Sequence, residues 1–224
     1  MVPALVAVGL TRHRATASSL AAIVLIAIAG AIAFGVAGDV DLPTGIFLGL
    51  GGLLGSTVGA HLMNRLTGRT LARIFGLVLL VAGIRLTIGG GVVEGGLDLS
   101  PIISFLLELT IGALTGILSG LAGIGGGIVM IPAMVLLLGF DQHTAEGTSL
   151  LAMLFTAAAG TRVNITNHHV DWRAVWILGL AGAVVAPWSA WLAQRIPADT
   201  LARIFGVLVI STAIRTLWKS VRPA

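Results

Sequence analysis

Glycine, rather than an acid, a base or a thiol, is the residue type that carries candidate chemistry in this chain. The run Gly120-Leu121-Ala122-Gly123-Ile124-Gly125-Gly126-Gly127 interrupts an apolar stretch and is followed at once by Ile128-Val129-Met130-Ile131-Pro132. Three consecutive glycines disfavour helix, each by roughly 1 kcal/mol relative to Ala, and permit dihedrals that other residues avoid. A helix restarting after them presents free N–H groups and roughly half a positive charge at its N-terminus. Such an end binds oxyanions without a cationic side chain. Gly123, Gly125, Gly126 and Gly127, with Pro132 just beyond, are therefore candidate substrate-binding residues, and Ser119 can add a hydroxyl donor. The competing role for the glycines is close helix packing. Three in a row exceed what packing needs.

Other side chains are weighed the same way. Thr148 and Ser149 open a following helix, and Ser149 has a counterpart in Ser19; each hydroxyl either contacts substrate or caps a helix start. Arg85 and Arg215 each lie 12 residues after another arginine, Arg73 or Arg203, or ~18 Å along a helix. Arg215 is a candidate counter-charge for an anion, although such arginines more often snorkel to the interface. Glu108 lies inside an apolar segment, where an acid either couples transport to protons or sits near the headgroups. His168 and His169 are adjacent, share no helix face and belong to no His-Glu-x-x-His pattern, so no metal site is expected. The five tryptophans, Trp172, Trp176, Trp188, Trp191 and Trp218, suit interfacial anchoring and helix packing.

The elements that must position these residues are transmembrane helices. Of 224 residues 57% are hydrophobic and 10% charged, with a mean hydropathy of +1.05, far from the roughly 25% charged content of a soluble domain. A bilayer core of ~30 Å needs about 20 helical residues. Long apolar segments fall at Ala17–Ala37, Leu42–Leu62, Leu71–Ile88, Pro101–Ala122, Gly147–Val163, Arg173–Ala193 and Leu201–Trp218, with short ones at Met1–Leu10 and Gly127–Leu138. The expected fold is an all-α polytopic bundle. Unwound backbone at the glycine run survives at membrane depth only if protein buries it or it lines a wet cavity. Broken helices of this kind mark substrate sites in transporters.

The chain reads as a tandem duplication. Thr70-Leu71-Ala72-Arg73-Ile74-Phe75-Gly76 recurs as Thr200-Leu201-Ala202-Arg203-Ile204-Phe205-Gly206, and the same 130-residue offset pairs His13 with His143, Ser19 with Ser149, Asp41 with Asp171 and Arg85 with Arg215. About a third of the positions between Gly9 and Ile88 are identical at that offset. The expected organisation is a first repeat over 1–90, a Gly-rich acidic connector over 91–100 with Glu94 and Asp98, and a second repeat over 101–220. Each repeat is expected to hold a Gly-broken or re-entrant helix. The first is N-terminally incomplete, lacking the first helix and glycine loop that symmetry predicts. If the short segments complete crossings, the halves are inverted. One side then carries Arg12, Arg14, Arg65, Arg69, Arg73, Arg162, Arg173, Lys219 and Arg222, against Arg195 and Arg203 on the other. The positive-inside rule favours that arrangement.

The run Gly116 to Gly127 with Pro132 resembles the signature of the TauE/SafE family of sulfite and organosulfonate exporters. Gly147-Thr148-Ser149 looks like that family's second-helix motif and Val170-Asp171-Trp172 like the start of its third helix. The match is weaker in the first repeat, where Ala17-Ser18-Ser19 and Val40-Asp41-Leu42 stand in and the glycine motif is absent. The resemblance implies a multi-pass inner-membrane protein that moves small sulfur-containing anions.

The partners expected are the lipid bilayer and a small anionic substrate, with a homo-oligomer as a further option. The formal charge of +4 comes mostly from single arginines, with no dense basic run for nucleic acid. The absence of cysteine excludes disulfides and thiolate ligands. The short first apolar segment has no basic n-region, so no signal peptide is expected. No cofactor is expected either, because there is no Walker motif and the glycines follow an apolar helix rather than a strand. A membrane-embedded enzyme is the less favoured alternative, since Ser119 has no evident base. A non-transporting accessory subunit is the other.

Overall fold

Polar caps, invisible to a search for apolar windows, set where the helices begin. The computed structural model describes residues 1–62, 68–89, 100–122 and 125–221, so Gly123 and most of the 91–100 connector lie outside the described residues. A short helix α1 (Val2–Ala7) precedes α2 (Arg12–Ala37), whose first turn is capped where the Thr11 hydroxyl accepts from Arg14 N–H at 3.4 Å. Asp41 accepts from Thr44 N–H at 2.9 Å at the head of α3 (Leu42–Leu62), and α4 spans Gly68–Gly89. Next come α5 (Pro101–Ala122) and α6 (Gly127–Ala133), which continues as wide π turns over Met134–Leu138. Asp141 caps α7 (Gln142–Thr166) through His143 and Thr144 N–H, and Asp171 caps α8 (Trp172–Ala193) through Arg173 and Ala174 N–H. The last helix is α9 (Ala198–Val221).

The expected segments Leu42–Leu62 and Pro101–Ala122 coincide with α3 and α5. By contrast α2 and α7 begin five residues before the expected Ala17 and Gly147. Their first turns are polar but capped, so their orphan N–H groups are satisfied. The chain is thus an all-helical, multi-pass membrane protein among its described residues. Five stretches are long and apolar enough to cross a bilayer: His13–Ala37, Leu42–Gly59, Pro101–Ser119, Trp172–Ala193 and Ala198–Trp218. The α7 helix falls outside that set because its buried face is polar, with Gln142, Thr148, Ser149, Thr156 and Asn164 all inside the protein. Together with Thr16, Ser18 and Ser19 of α2 they give the bundle a hydroxyl-rich interior. Its outer surface carries Ile177, Val184, Val185 and the exposed tryptophans.

Glycine contacts show how the helices run. Gly45, Gly49 and Gly52 of α3 meet Leu151, Phe155 and Thr156 of α7 in ascending order, so these helices are parallel. Gly51, Gly55 and Gly59 meet Leu109, Ala113 and Ile117, so α3 and α5 are parallel as well. Gly179 and Gly182 of α8 meet Leu25 and Ile26 of α2 in the same sense. The order reverses where Gly30 meets Leu150 and Gly160 meets Leu20, making α2 and α7 antiparallel, as Gly76 and Gly83 against Ala213 and Ile210 make α4 and α9. Helices whose starts are offset by 130 residues, 12 and 142, 42 and 172, 68 and 198, therefore point in opposite directions.

Two hydroxyl–amide clasps lock this arrangement from opposite ends. The Thr148 hydroxyl accepts from Asp41 N–H at 2.9 Å, tying α7 to the α2–α3 turn. The Ser18 hydroxyl accepts from Asp171 N–H at 2.9 Å, tying α2 to the α7–α8 turn. Each fills an amide that the turn itself leaves open.

The α3–α5 contact is backbone on backbone. A Cβ on Gly55 would overlap the Ala113 carbonyl, whereas a Cβ on Gly35 would meet only Val40 at 3.9 Å. Gly55→Val should lower detergent-solubilised stability by at least the 1–3 kcal/mol typical of overpacking, while Gly35→Ala should be neutral or gain up to about 1 kcal/mol. Thr148→Val and Ser18→Ala should each cost about 1–3 kcal/mol by stranding an amide. Because the clasps share no partners, their costs should add in the double variant. Thermal unfolding monitored by tryptophan fluorescence checks both sets.

Candidate functional site

The glycine run breaks the helix. After α5 ends at Ala122, Gly125 and Gly126 take φ of 83° and 87°, and Gly127 begins α6. These are left-handed values that an L side chain rarely adopts. Gly126 is the N-cap of α6, its carbonyl accepting from Val129 N–H at 3.0 Å and Met130 N–H at 3.1 Å, and no side chain caps the amides of that first turn. The turn therefore aims N–H groups and the positive end of the helix dipole at whatever lies before it. Pro132 withholds one N–H from the helix, and Met134–Leu138 after it run as π turns ending at left-handed Gly139, φ 73°.

Protein encloses the break on every described side. Thr156 of α7 donates its hydroxyl to Met153 O at 3.0 Å and to Gly125 O at 3.4 Å. Met153 packs on Gly125 and Gly127, Ile23 of α2 packs on Gly125, and Ser119 and Thr115 of α5 face Gly126. Thr156 stands midway along α7, so the break lies deep in the bundle rather than at its rim.

Of the expected site residues, the fold gathers Ser119, Gly125, Gly126, Gly127 and Ser149. Ser119 is 1% exposed and its hydroxyl has no hydrogen-bond partner among the described residues. Ser149 is equally buried, 3.8 Å from a Cβ position on Gly127, and donates to the Glu146 carbonyl at 2.8 Å. Ser19 is buried on α2 one turn before Ile23, on the helix face that reaches Gly125. Thr148 is occupied by its clasp to Asp41. Pro132 lines a different space, an apolar cavity of about 430 Å³ between α4 and α6 walled by Leu77, Val81, Val129 and Leu136. With nearly no polar lining, that cavity does not suit an anion. Arg215 and Arg85 are exposed on α9 and α4, away from the break, as snorkelling arginines are. Glu108 is buried and accepts from the Thr44 hydroxyl at 3.3 Å.

Sequence reasoning overlooked the rest of the α7 face. Gln142, Glu146, Ser149, Met153 and Thr156 recur at three- and four-residue spacing, which places them along one side of the helix. Gln142 is fully buried and donates its amide to Glu146 Oε1 at 2.9 Å. The spacing was visible, but a search for apolar windows passes over a polar first turn. At the same end, burial raises the Asp39 carboxyl above the usual aspartate range, with nearby Asp141 adding to the rise and His143 opposing it. Among the described residues no cluster of His, Cys, Asp and Glu is arranged to hold a metal ion.

A family model described as "Sulfite exporter TauE/SafE" matches residues 1–86 and 108–224. A protein of Xylella fastidiosa (strain 9a5c) named "Probable membrane transporter protein" is 30% identical over 218 residues, covering 95% of this chain and 83% of that relative. In Bacillus subtilis (strain 168), YunE is 22% identical over 94% of this chain and 83% of its own, and YtnM 26% over 95% and 73%. Both carry the name "Probable membrane transporter protein". No solved structure matches. An all-helical membrane bundle broken at a buried triple glycine, matched by this model along both halves, belongs to the TauE/SafE family of membrane transporters.

Proposed function

We propose that this protein is a secondary transporter of the inner membrane that exports a small oxyanion, sulfite or an organosulfonate. The anion would bind at the amides of Gly125–Gly127. The observation that carries this reading is the orphaned Ser119 hydroxyl, buried beside the uncapped start of α6. A buried hydroxyl without a partner costs about 1–3 kcal/mol, which a bound acceptor would recover. Gly123 and Ser19 belong to the same proposed site by sequence position. The matched family's description names sulfite export, and the relatives are named only as membrane transporters.

We also read the two halves as inverted repeats, 1–90 and 101–220 flanking the 91–100 connector. Support comes from the 130-residue offset between helix starts and the opposed directions of matched helices. Arg14, Arg162 and Arg173 then share one end of the bundle and Arg195 and Arg203 the other, which sets the first end toward the cytoplasm.

In proteoliposomes at matched expression, Gly126→Val should abolish sulfite and methanesulfonate flux while leaving insertion intact. The substitution adds apolar bulk that the bilayer accepts but demands a left-handed φ that valine resists. Ser119→Ala should weaken anion binding about fivefold, the worth of one hydrogen bond near 1 kcal/mol. Arg215→Gln should leave flux unchanged. Movement of neutral solutes but of no oxyanion would overturn the reading, and wild-type flux from Gly126→Val would move the site elsewhere.

A further inference from the structure

Glu146 has no part in the anion site, yet it stands one helical turn from Ser149 on the same α7 face. Its carboxylate accepts from the Gln142 amide at 2.9 Å. Gln142 itself is 0% exposed, and its Oε1 has no hydrogen-bond partner among the described residues. A buried amide that gives its N–H to a carboxylate keeps an unused oxygen that can accept from the same carboxyl once it is protonated. When the carboxyl is ionised, the amide donates to it. When the carboxyl is protonated, a flipped amide brings Oε1 round to accept the new O–H. The pair is therefore built to serve both protonation states of Glu146.

The surroundings fit a proton rather than a metal cation. Gly127–Leu138, which packs against this face, supplies no charged residue. Among the described residues the ionisable groups at this end are Asp141 and His143 on α7, Asp39 and Asp41 at the α2–α3 turn, and Glu108 on α5. Arg195, Asp199 and Arg203 lie around the α8–α9 turn. His143 directs Nε2 at the carbonyls of Ala193 and Ile196, both at 3.1 Å, so its ring is committed to that turn. Glu108 is held by Thr44, and Arg195 stacks on Trp191 at 3.8 Å. One carboxylate and one amide oxygen fall short of the five or six oxygens a sodium or larger ion takes, but suffice for a proton.

We propose that Glu146, served by Gln142, is the proton-binding site that couples anion movement to proton movement. A proton taken from water at the acidic end of the bundle would neutralise a carboxylate one turn along α7 from Ser149, which lies beside Gly127. The two charges would then affect each other's occupancy. The inference rests on the anion reading above.

The test uses the full chain in proteoliposomes with methanesulfonate, which stays ionised at all working pH values and carries no proton itself. Equilibrium exchange of the anion is measured beside its net uptake under an imposed pH gradient, with an internal pH dye following protons. Glu146→Gln, a permanently neutral mimic, should retain exchange but lose at least tenfold in gradient-driven uptake and in accompanying proton movement. Gln142→Met removes the partner of both forms, but the charge-assisted bond to the carboxylate is the stronger of the two, so the pH midpoint of uptake should shift upward by about one unit. Proton-coupled uptake at wild-type stoichiometry in Glu146→Gln, or wild-type flux driven by sodium and indifferent to pH, would overturn the proposal. If wild type exchanges no anion, the anion reading fails, and infrared titration of the purified protein then judges the carboxyl alone. A protonated-carboxyl band missing in Glu146→Gln upholds the proton site, and its absence from wild type refutes it.

Discussion

A backbone amide inside a bilayer has no water to bond with, and the rest of this structure is arranged around that deficit. Between the helix described to Ala122 and the one that begins at Gly127, Gly125 and Gly126 are left-handed, and lipid would penalise unpaired peptide groups there by several kcal/mol each. The bundle answers by wrapping the break. Behind it, α3 and α5 touch backbone to backbone through Gly51, Gly55, Gly112 and Gly116, so little lipid can enter there. In front, α7 brings Met153 onto two of the glycines and the Thr156 hydroxyl onto the Gly125 carbonyl. Beside it, the buried Ser119 hydroxyl keeps no hydrogen-bond partner among the described residues. The enclosure that keeps lipid out of the break also holds the groups proposed to bind the anion.

The same deficit inverts the usual placement of polarity. Hydroxyl and amide side chains, which a soluble protein would turn outward, occupy the interior faces of α2 and α7. Leucine, isoleucine, valine and tryptophan cover the outside. Hydrophobic burial cannot hold such a bundle together, because lipid is as apolar as leucine. Close packing at glycines and hydrogen bonds such as the paired Ser18–Asp171 and Thr148–Asp41 clasps take over that role. The clasps lie at opposite ends because α2 and α7 run antiparallel.

The break was legible in the sequence alone. Three adjacent glycines announce a break, since no packing demand calls for three, and Ser119 and Ser149 flank it closely enough in sequence to be named. Other residues were not separable this way. Thr148 and Ser149 are neighbours in sequence but point to different partners, one to the Asp41 amide and the other toward Gly127, because successive helical residues face about 100° apart. Pro132, one turn into α6, belongs to the wall of the apolar cavity rather than to the break. Gln142 and Glu146 escaped notice because they sit in a polar first turn that looks like a loop until Asp141 is seen to cap it.

By itself the sequence determined the class of the protein, its helical segments and the position of the break. Composition, segment length and glycine conformational freedom are local properties. The 130-residue echo likewise needs only the letters. Tertiary structure decided which helices run together and which opposed, for direction follows from the contacts of Gly45, Gly160 and Gly179 with residues more than a hundred positions away. It also decided that Arg215 lies outside while Ser119 lies inside. A helix pattern shows which faces are apolar, but not which apolar face meets lipid and which meets another helix. Only the packing partner tells them apart.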